Sequence, residues 1–276
     1  KKGMIAMNGS YHGKSMGALS ITFNPKYRKA FQPLVDKVTF SPFGDIESLR
    51  SKIDSDTAFI VLEPIQGESG IHVAPDGFLQ DVRKICDEND ILLIFDEIQA
   101  GLGRTGRMWA SEHWNTVPDI LCIAKGIAGG VPMGATMVRP DILDCISKGE
   151  HSSTFGGNPL SCAAGTATLQ ALTQDGLISN AEKRGKMFKD GLEALKEKHN
   201  IIREIRGKGL MIGVELKFEV KDILMEGIEK NLLLLYSGRN ILRLLPPLVI
   251  TEQDVIRSLE ILDELFTNEE KRRNDQ

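Results

Sequence analysis

The sequence predicts an α/β fold: a mainly parallel sheet with helices on both faces, followed by a smaller α+β unit. Ile91-Leu-Leu-Ile-Phe95 is a continuous apolar run that stops abruptly on Asp96-Glu97, the pattern of a strand covered on both faces. Asp119-Ile-Leu-Cys-Ile-Ala-Lys125-Gly126 repeats the pattern, but here the run ends on a lysine. Strands and helices also alternate along the first part of the chain, as they do around a parallel sheet. Ligands of such sheets lie beyond the carboxyl ends of the strands. Asp96 and Lys125 are therefore aimed at whatever the sheet binds.

In chain order, residues 3–7 read as a strand that runs into the loop Asn8-Gly-Ser-Tyr-His-Gly-Lys-Ser15. Residues 16–35 read as irregular and in their first part β-like, because Pro25 and Pro33 exclude a long helix. A short strand follows at 38–40, then a short helix over 45–53 with Asp45 as N-cap. Residues 58–62 form a buried strand that also ends on an acid, Glu63. The loop Ile65 to Pro75 carries Gly67, Glu68 and Gly70. Helix 76–89 sets Phe78, Val82 and Ile85 on one face. Gly126, Gly129 and Gly130 follow Lys125, then a strand near 134–138, a polar loop over 151–159 and a helix of about 160–173.

The character then changes, so residues 1–174 are expected to form the large domain and 175–276 a C-terminal small domain. The second part reads as helix 178–198, strands 201–206 and 210–216, a helix near 221–230, strands 232–236 and 241–245, and a helix 251–268. The charged tail 269–276 reads as frayed. The sequence opens on Lys1-Lys2-Gly3 directly before strand-like residues, which predicts a start inside a domain.

A hydrophobic content of 41% and a charged content of 26% are those of a soluble globular protein. The net charge of −4, from 34 basic and 38 acidic residues, gives no support to a nucleic-acid or membrane-surface role. Cys86, Cys122, Cys145 and Cys162 form no CxxC pair and sit in apolar or helical contexts. Buried free thiols in a reducing compartment, the cytoplasm, are expected rather than disulfides or a metal site. No apolar run approaches the ~20 residues that span a bilayer, and no signal peptide is expected.

Three kinds of site compete for the carboxyl edge. Gly13-Lys14-Ser15 after a strand resembles the end of a P-loop, but Asn8 stands where the first glycine belongs. Gly101-Leu-Gly103-Arg-Thr-Gly106 matches the dinucleotide fingerprint, yet five residues separate it from the strand end, and a glycine-rich loop beside the site is the plainer reading. A pyridoxal-phosphate (PLP) site needs a lysine that forms a Schiff base and an acid that holds the pyridine nitrogen protonated. Lys125 and Asp96 supply both. Spacing alone leaves this level with an ordinary surface lysine and a helix-capping aspartate.

Four linked motifs separate these readings: Glu63-Pro-Ile-Gln-Gly-Glu68, Phe95-Asp-Glu-Ile-Gln99 with Gly101 to Gly106, Ala124-Lys125-Gly126, and Ser153-Thr-Phe-Gly-Gly-Asn-Pro159. In this order and spacing they resemble the class III (ω-amino-acid) aminotransferases of PLP fold type I. The resemblance runs from Tyr11-His-Gly13 to Leu242-Arg243-Leu-Leu-Pro-Pro247. It implies that Lys125 carries PLP as a Schiff base and that Asp96 pairs with the pyridinium nitrogen. Gln99 would lie near the ring 3-hydroxyl, with Tyr11 stacked on one ring face and Ile98 packed on the other. Thr154 would reach the cofactor phosphate of the neighbouring subunit, making a homodimer with shared active sites. His12 reads as structural rather than catalytic. The family's main phosphate-binding turn, Ser-Gly-Thr-Glu-Ala-like, would precede residue 1.

The resemblance further implies that Arg243 binds the α-carboxylate of glutamate as a bidentate pair, and that Glu68 neutralises Arg243 while an ω-amine occupies the site. 2-Oxoglutarate would be the acceptor and glutamate the product. The branch it most resembles acts on N-acetylornithine or on lysine or ornithine γ-linked to the amino-group carrier protein LysW, in lysine and arginine biosynthesis. Ornithine and 4-aminobutyrate aminotransferases, and a non-catalytic carrier-binding homologue, are the alternatives. Lys14 stands where acetylornithine enzymes commonly have an arginine that grips the distal carboxylate, and lysine lacks that planar fork. Lys26, Arg28 and Lys29 are candidates for a basic entrance to a carrier-protein substrate, or else a solvated face.

Overall fold

The computed structural model describes residues 1–274. Its strands are β1 (Gly3–Met7), β2 (Val38–Ser41), β3 (Thr57–Leu62), β4 (Ile65–Gln66), β5 (His72–Val73) and β6 (Leu92–Asp96), then β7 (Ile120–Ile123), β8 (Ala135–Val138), β9 (Ile202–Lys208), β10 (Met211–Leu216), β11 (Leu235–Ser237) and β12 (Ile241–Leu244). The α-helices are α1 (Met16–Ser20), α2 (Pro25–Arg28), α3 (Ile46–Arg50), α4 (Phe78–Asn89), α5 (Pro140–Leu143), α6 (Pro159–Gln174), α7 (Leu177–Lys198), α8 (Lys221–Glu229) and α9 (Glu252–Asn274). Two compact units emerge. One comprises Lys1–Pro64, Ala74–Leu102 and Trp109–Asp175, and the other comprises Ile65–Val73, Gly103–Met108 and the chain from Gly176 onward.

The first unit is built on a six-stranded sheet of order β2-β1-β3-β6-β7-β8. Neighbours run parallel except β8, which pairs antiparallel with β7 at the edge. Ile60, Leu62, Leu93 and Phe95 are fully buried, as the uninterrupted apolar runs of central parallel strands require. Helix α4 turns Phe78, Leu79, Val82, Ile85 and Cys86 inward. It ends at Asp90, whose left-handed backbone (φ 53°) lets the chain turn into β6. Helix α3 starts where expected, with the Asp45 carboxylate accepting the Ser48 N–H at 2.9 Å.

Several local expectations need correction. Residues 16–20 are helical rather than β-like, and the turn is stitched by hydroxyls: Ser20 donates to the Met16 carbonyl at 2.7 Å and Thr22 to the Ala18 carbonyl at 3.0 Å. The loop from Ile65 to Pro75 contains a two-stranded antiparallel ribbon, with Ile65 opposite Val73 and Gln66 opposite His72. Strands of two residues are too short to show a period of two in sequence. The strand expected at 232–236 covers only Leu235–Ser237, and the sequence pattern does not announce helix α5 or the five-residue 3-10 helix over Ala110–Trp114. The four cysteines are free, but only Cys86 is buried: Cys122 and Cys162 are half-buried, and Cys145 is exposed beyond α5. Burial pushes the Cys86 thiol up to about 12.

The second unit has a four-stranded sheet of order β11-β12-β10-β9, with all neighbours antiparallel. Phe188, Leu192, Ile212, Val214, Leu262 and Phe266 belong to its core. The tail expected to fray from 269 is helical through Asn274, and residues 275–276 lie outside the described residues. The cause is pairing. The buried Glu269 carboxylate takes Arg273 at 2.7 Å and Arg272 at 3.0 Å, and the Arg273 guanidinium lies 3.3 Å from the Phe218 ring centroid. Among the described residues no helix is long and apolar enough to cross a membrane.

Gly185 in α7 shows how closely this unit packs. A Cβ there would stand 2.2 Å from the carbonyl carbon and oxygen of Gly209, which itself has φ 53°. Gly185→Ala, stabilising in an open helix, is therefore expected to cost about 1–3 kcal/mol. Calorimetry should show a melting temperature several degrees lower.

Candidate active site

Strand ends bring the predicted residues to the carboxyl edge of the first unit. Chain leaving β1 carries Tyr11 and His12, β3 delivers Glu63, β6 ends on Asp96, and Lys125 follows β7. Register places Asp96 opposite Cys122 on the neighbouring parallel strand. Lys125 thus leaves the sheet one strand over from Asp96 and on the same edge. Glu63 is buried, and its carboxylate accepts the Tyr11 N–H at 3.1 Å, tying the loop after β1 to the end of β3.

Asp96 is 7% exposed. Its Oδ2 lies 2.8 Å from His12 Nδ1, and its Oδ1 accepts the Ile98 N–H at 3.0 Å. An ionised carboxylate only accepts, so Nδ1 carries the proton in this pair. His12 is thus structural in the sense of orienting Asp96, a pairing that no sequence spacing signals, because 84 positions separate the two. Its Nε2 is buried and finds no hydrogen-bond partner among the described residues.

The neighbouring Glu97 has a different task. It is 1% exposed and accepts the N–H groups of Ala110 and Ser111, so it caps the 3-10 helix that follows. Burial pushes its carboxyl above the usual range, and those backbone donors act against the shift. Ile98 and Gln99 are half-buried in the turn after β6.

Lys125 opens a single 3-10 turn over Lys125–Ala128 and has φ 44°. Left-handed backbone at a non-glycine residue costs energy and is concentrated at functional sites. The side chain is exposed. Tyr11 is half-buried, with its ring edge-to-face on Tyr27 at 5.7 Å. Thr154 is exposed in the loop before α6, beside Phe155 at 81% exposure. Asn158 ends that loop by capping α6, accepting the Ser161 N–H at 2.9 Å. Of the basic cluster, Lys26 and Lys29 are exposed, but Arg28 is half-buried with its guanidinium 4.9 Å from the Phe40 ring centroid.

Within the second unit, Arg243 on β12 donates from Nη1 to Glu68 Oε1 at 2.6 Å. The Ser237 hydroxyl donates to the Glu68 carbonyl, and Arg206 donates from Nε to the Gly70 carbonyl at 2.7 Å while pairing with Glu215 at 2.8 Å. These contacts hold the segment that carries Glu68. Neither Ser237 nor Arg206 stands out in sequence, because each works through a backbone carbonyl more than a hundred residues away.

Both nucleotide readings fail on local structure. The helix after Gly13-Lys14-Ser15 has five residues, too short for the phosphate-binding helix of a P-loop. The loop Gly101 to Gly106 opens no α-helix. Its Arg104 donates instead to the Leu210 carbonyl at 3.2 Å and to the Pro246 carbonyl, and burial lowers the guanidinium to about 10. Among the described residues no cluster of His, Cys, Asp and Glu is suited to a metal ion.

A buried carboxylate, braced by an imidazole and a backbone N–H, retains lone pairs for one more donor. The same sheet edge carries Lys125 on a left-handed turn after β7, and Tyr11 in the loop after β1. This donor set fits PLP and defines the class: a PLP-dependent enzyme on an α/β sheet. The sequence profile described as Aminotransferase class-III matches residues 1–266. Acetylornithine aminotransferase of Caldanaerobacter subterraneus is 46% identical over 96% of this chain and 67% of its own length. Ornithine aminotransferase 1 of Staphylococcus saprophyticus is 41% identical over 95% of this chain and 66% of its own. A solved ornithine aminotransferase of Toxoplasma gondii, described with partial occupancy of PLP at its active site, superposes with a TM-score of 0.95 at 34% identity, covering 99% of this chain and 65% of that one. The chain belongs to the class III aminotransferases, a PLP-dependent family of fold type I. It spans about two thirds of the length of these relatives.

Proposed function

We propose that the protein moves the terminal amino group of an ω-amino compound to 2-oxoglutarate, releasing a semialdehyde and glutamate. N-Acetylornithine is the first donor to test, supported by relatives of that name at 43–46% identity. Lysine or ornithine γ-linked to the carrier protein LysW is the second reading, favoured by Lys14 and by the exposed Lys26 and Lys29. The observation that carries the proposal is the 2.6 Å pair of Glu68 and Arg243. One reaction partner presents an uncharged CH2-NH2 end and the other an α-carboxylate, so an arginine that one of them needs must be neutralised for the other.

PLP supplies an aldehyde that takes up the amino group and a pyridinium ring that accepts the electron pair of the breaking C–H bond. In this reading Lys125 would anchor the cofactor, and its Nζ, once freed, would serve as the base that takes the proton from the substrate carbon and then as the acid that gives it up. Asp96 holds the proton on the ring nitrogen, with His12 fixing the carboxylate. Tyr11 and Ile98 would hold the cofactor ring between them, and Gln99 would meet its hydroxyl. Arg243 takes the α-carboxylate of glutamate, and Lys14 meets the distal end of the substrate. Thr154 would help to hold the cofactor phosphate in the second subunit of a homodimer. That dimer is supported by the exposure of Phe155 at 81% and Leu160 at 71%, because large apolar side chains in one loop-helix segment suit an interface.

Glu68→Gln tests the pair. The isosteric amide leaves Arg243 charged while the amine is bound, so the amine half-reaction should slow by about tenfold, or about 1.4 kcal/mol. The 2-oxoglutarate half-reaction should stay within about twofold of wild type. Single-turnover spectroscopy of each half separates them, and equal effects on both, or none, would remove the gate.

A further inference from the structure

In the first unit, the loop after β1 and the short helix α2 place three side chains in a row. The Tyr27 ring meets the Tyr11 ring edge-to-face, with centroids 5.7 Å apart and planes at 74°. The Lys14 ammonium lies 5.2 Å from the centroid of the same Tyr27 ring, within the range of a cation–π contact. Tyr27 is itself held in place. Pro25 occupies the first turn of α2, the Asn24 side chain accepts the Lys26 N–H at 2.9 Å, and the Tyr27 N–H returns to the Asn24 carbonyl at 3.1 Å.

A lysine is a point charge on a flexible stem and has no fork to orient a carboxylate. Exposed and unsupported, Lys14 would spread over many rotamers and lose side-chain entropy whenever it bound an anion. An aromatic ring at the ammonium narrows that spread before binding.

We propose that Tyr27 is a positioning residue, which holds the Lys14 ammonium for the carboxylate at the distal end of the substrate. The proposal rests on the transaminase reading, in which Lys14 meets that distal group. It adds that a lysine with an aromatic support serves at this place in the chain.

The test compares Tyr27→Leu with Tyr27→Phe in the PLP-loaded protein. Tyr27→Leu should raise KM for N-acetylornithine by about fivefold and leave kcat within about twofold. Turnover of 1-aminobutane, which has the reacting amine and no distal carboxylate, should not change. Calorimetry with glutarate, a dicarboxylate that cannot react, should show affinity weakened by the same factor. Tyr27→Phe keeps the ring and should behave as wild type in each assay. Unchanged KM and glutarate affinity in Tyr27→Leu would overturn the proposal. So would equal losses with 1-aminobutane, which mark a general structural defect. Wild-type protein that turns over neither amine sinks the transaminase reading instead, and glutarate binding then still decides the role of Tyr27.

Discussion

Lys125→Ala is expected to abolish transamination, with kcat at least about 10⁴-fold below wild type. The size follows from the two tasks of one amine. Loss of a positioned general acid and base alone costs about 10²–10⁴-fold, and the covalent anchor of the cofactor goes with it. The side chain is exposed, so the truncation removes no core packing and should leave the melting temperature nearly unchanged. The backbone at this position has φ 44°, and alanine tolerates that conformation no better than lysine does. Any gain in stability from the exchange would therefore come from the side chain, not from relief of the turn. Rapid-quench assay of glutamate, with calorimetry on the same preparation, measures both quantities. Activity within tenfold of wild type would remove Lys125 from the chemistry.

The second large effect is expected at Asp96. Asp96→Asn keeps the shape of the side chain but cannot hold a proton on a pyridine nitrogen by charge. The ring becomes a weaker electron sink, and kcat should fall by about 10²–10³-fold, a barrier rise of roughly 3–4 kcal/mol. His12 makes the outcome specific. Its Nδ1–H now donates to the Asp96 carboxylate at 2.8 Å, and an asparagine that turns its carbonyl to His12 retains this bond. The fold should survive, cofactor should still bind, and the loss should appear in kcat more than in KM. Asp96→Ala should do worse, because it leaves the buried His12 ring, whose Nε2 already lacks a hydrogen bond among the described residues, with neither nitrogen paired. An Asp96→Asn protein with wild-type kcat would show that the carboxylate serves the fold alone.

How much of this was legible in sequence depends on the kind of contact. Strands β3, β6 and β7 announced themselves because central parallel strands bury both faces and read as unbroken apolar runs. The charges that end them, Asp96 and Lys125, were visible for the same reason. Orientation was less visible. Nothing in Ala135–Val138 marks β8 as the antiparallel edge, since that depends on where the preceding chain turns. Tertiary pairing was invisible altogether. His12 beside Asp96 and Tyr27 between Tyr11 and Lys14 join segments whose spacing obeys no helical or strand period. The charged end of α9 misled in the opposite direction. Glu269, Arg272 and Arg273 read as a solvated tail, and only Phe218 and the intrahelical pairs show why they stay ordered. Glu68 and Arg243 became a pair in sequence only through resemblance to a family, and their 2.6 Å separation gives that expectation a physical basis.

The central claim is that Lys125 and Asp96 hold PLP for amino-group transfer, and visible absorption of the PLP-loaded protein tests it most directly. A band near the edge of the visible is expected, which N-acetylornithine or LysW-γ-lysine bleaches, 2-oxoglutarate restores, and Lys125→Ala shifts or removes. A protein that develops no band with PLP, or one whose band is unchanged by Lys125→Ala and by every amine, would contradict that claim.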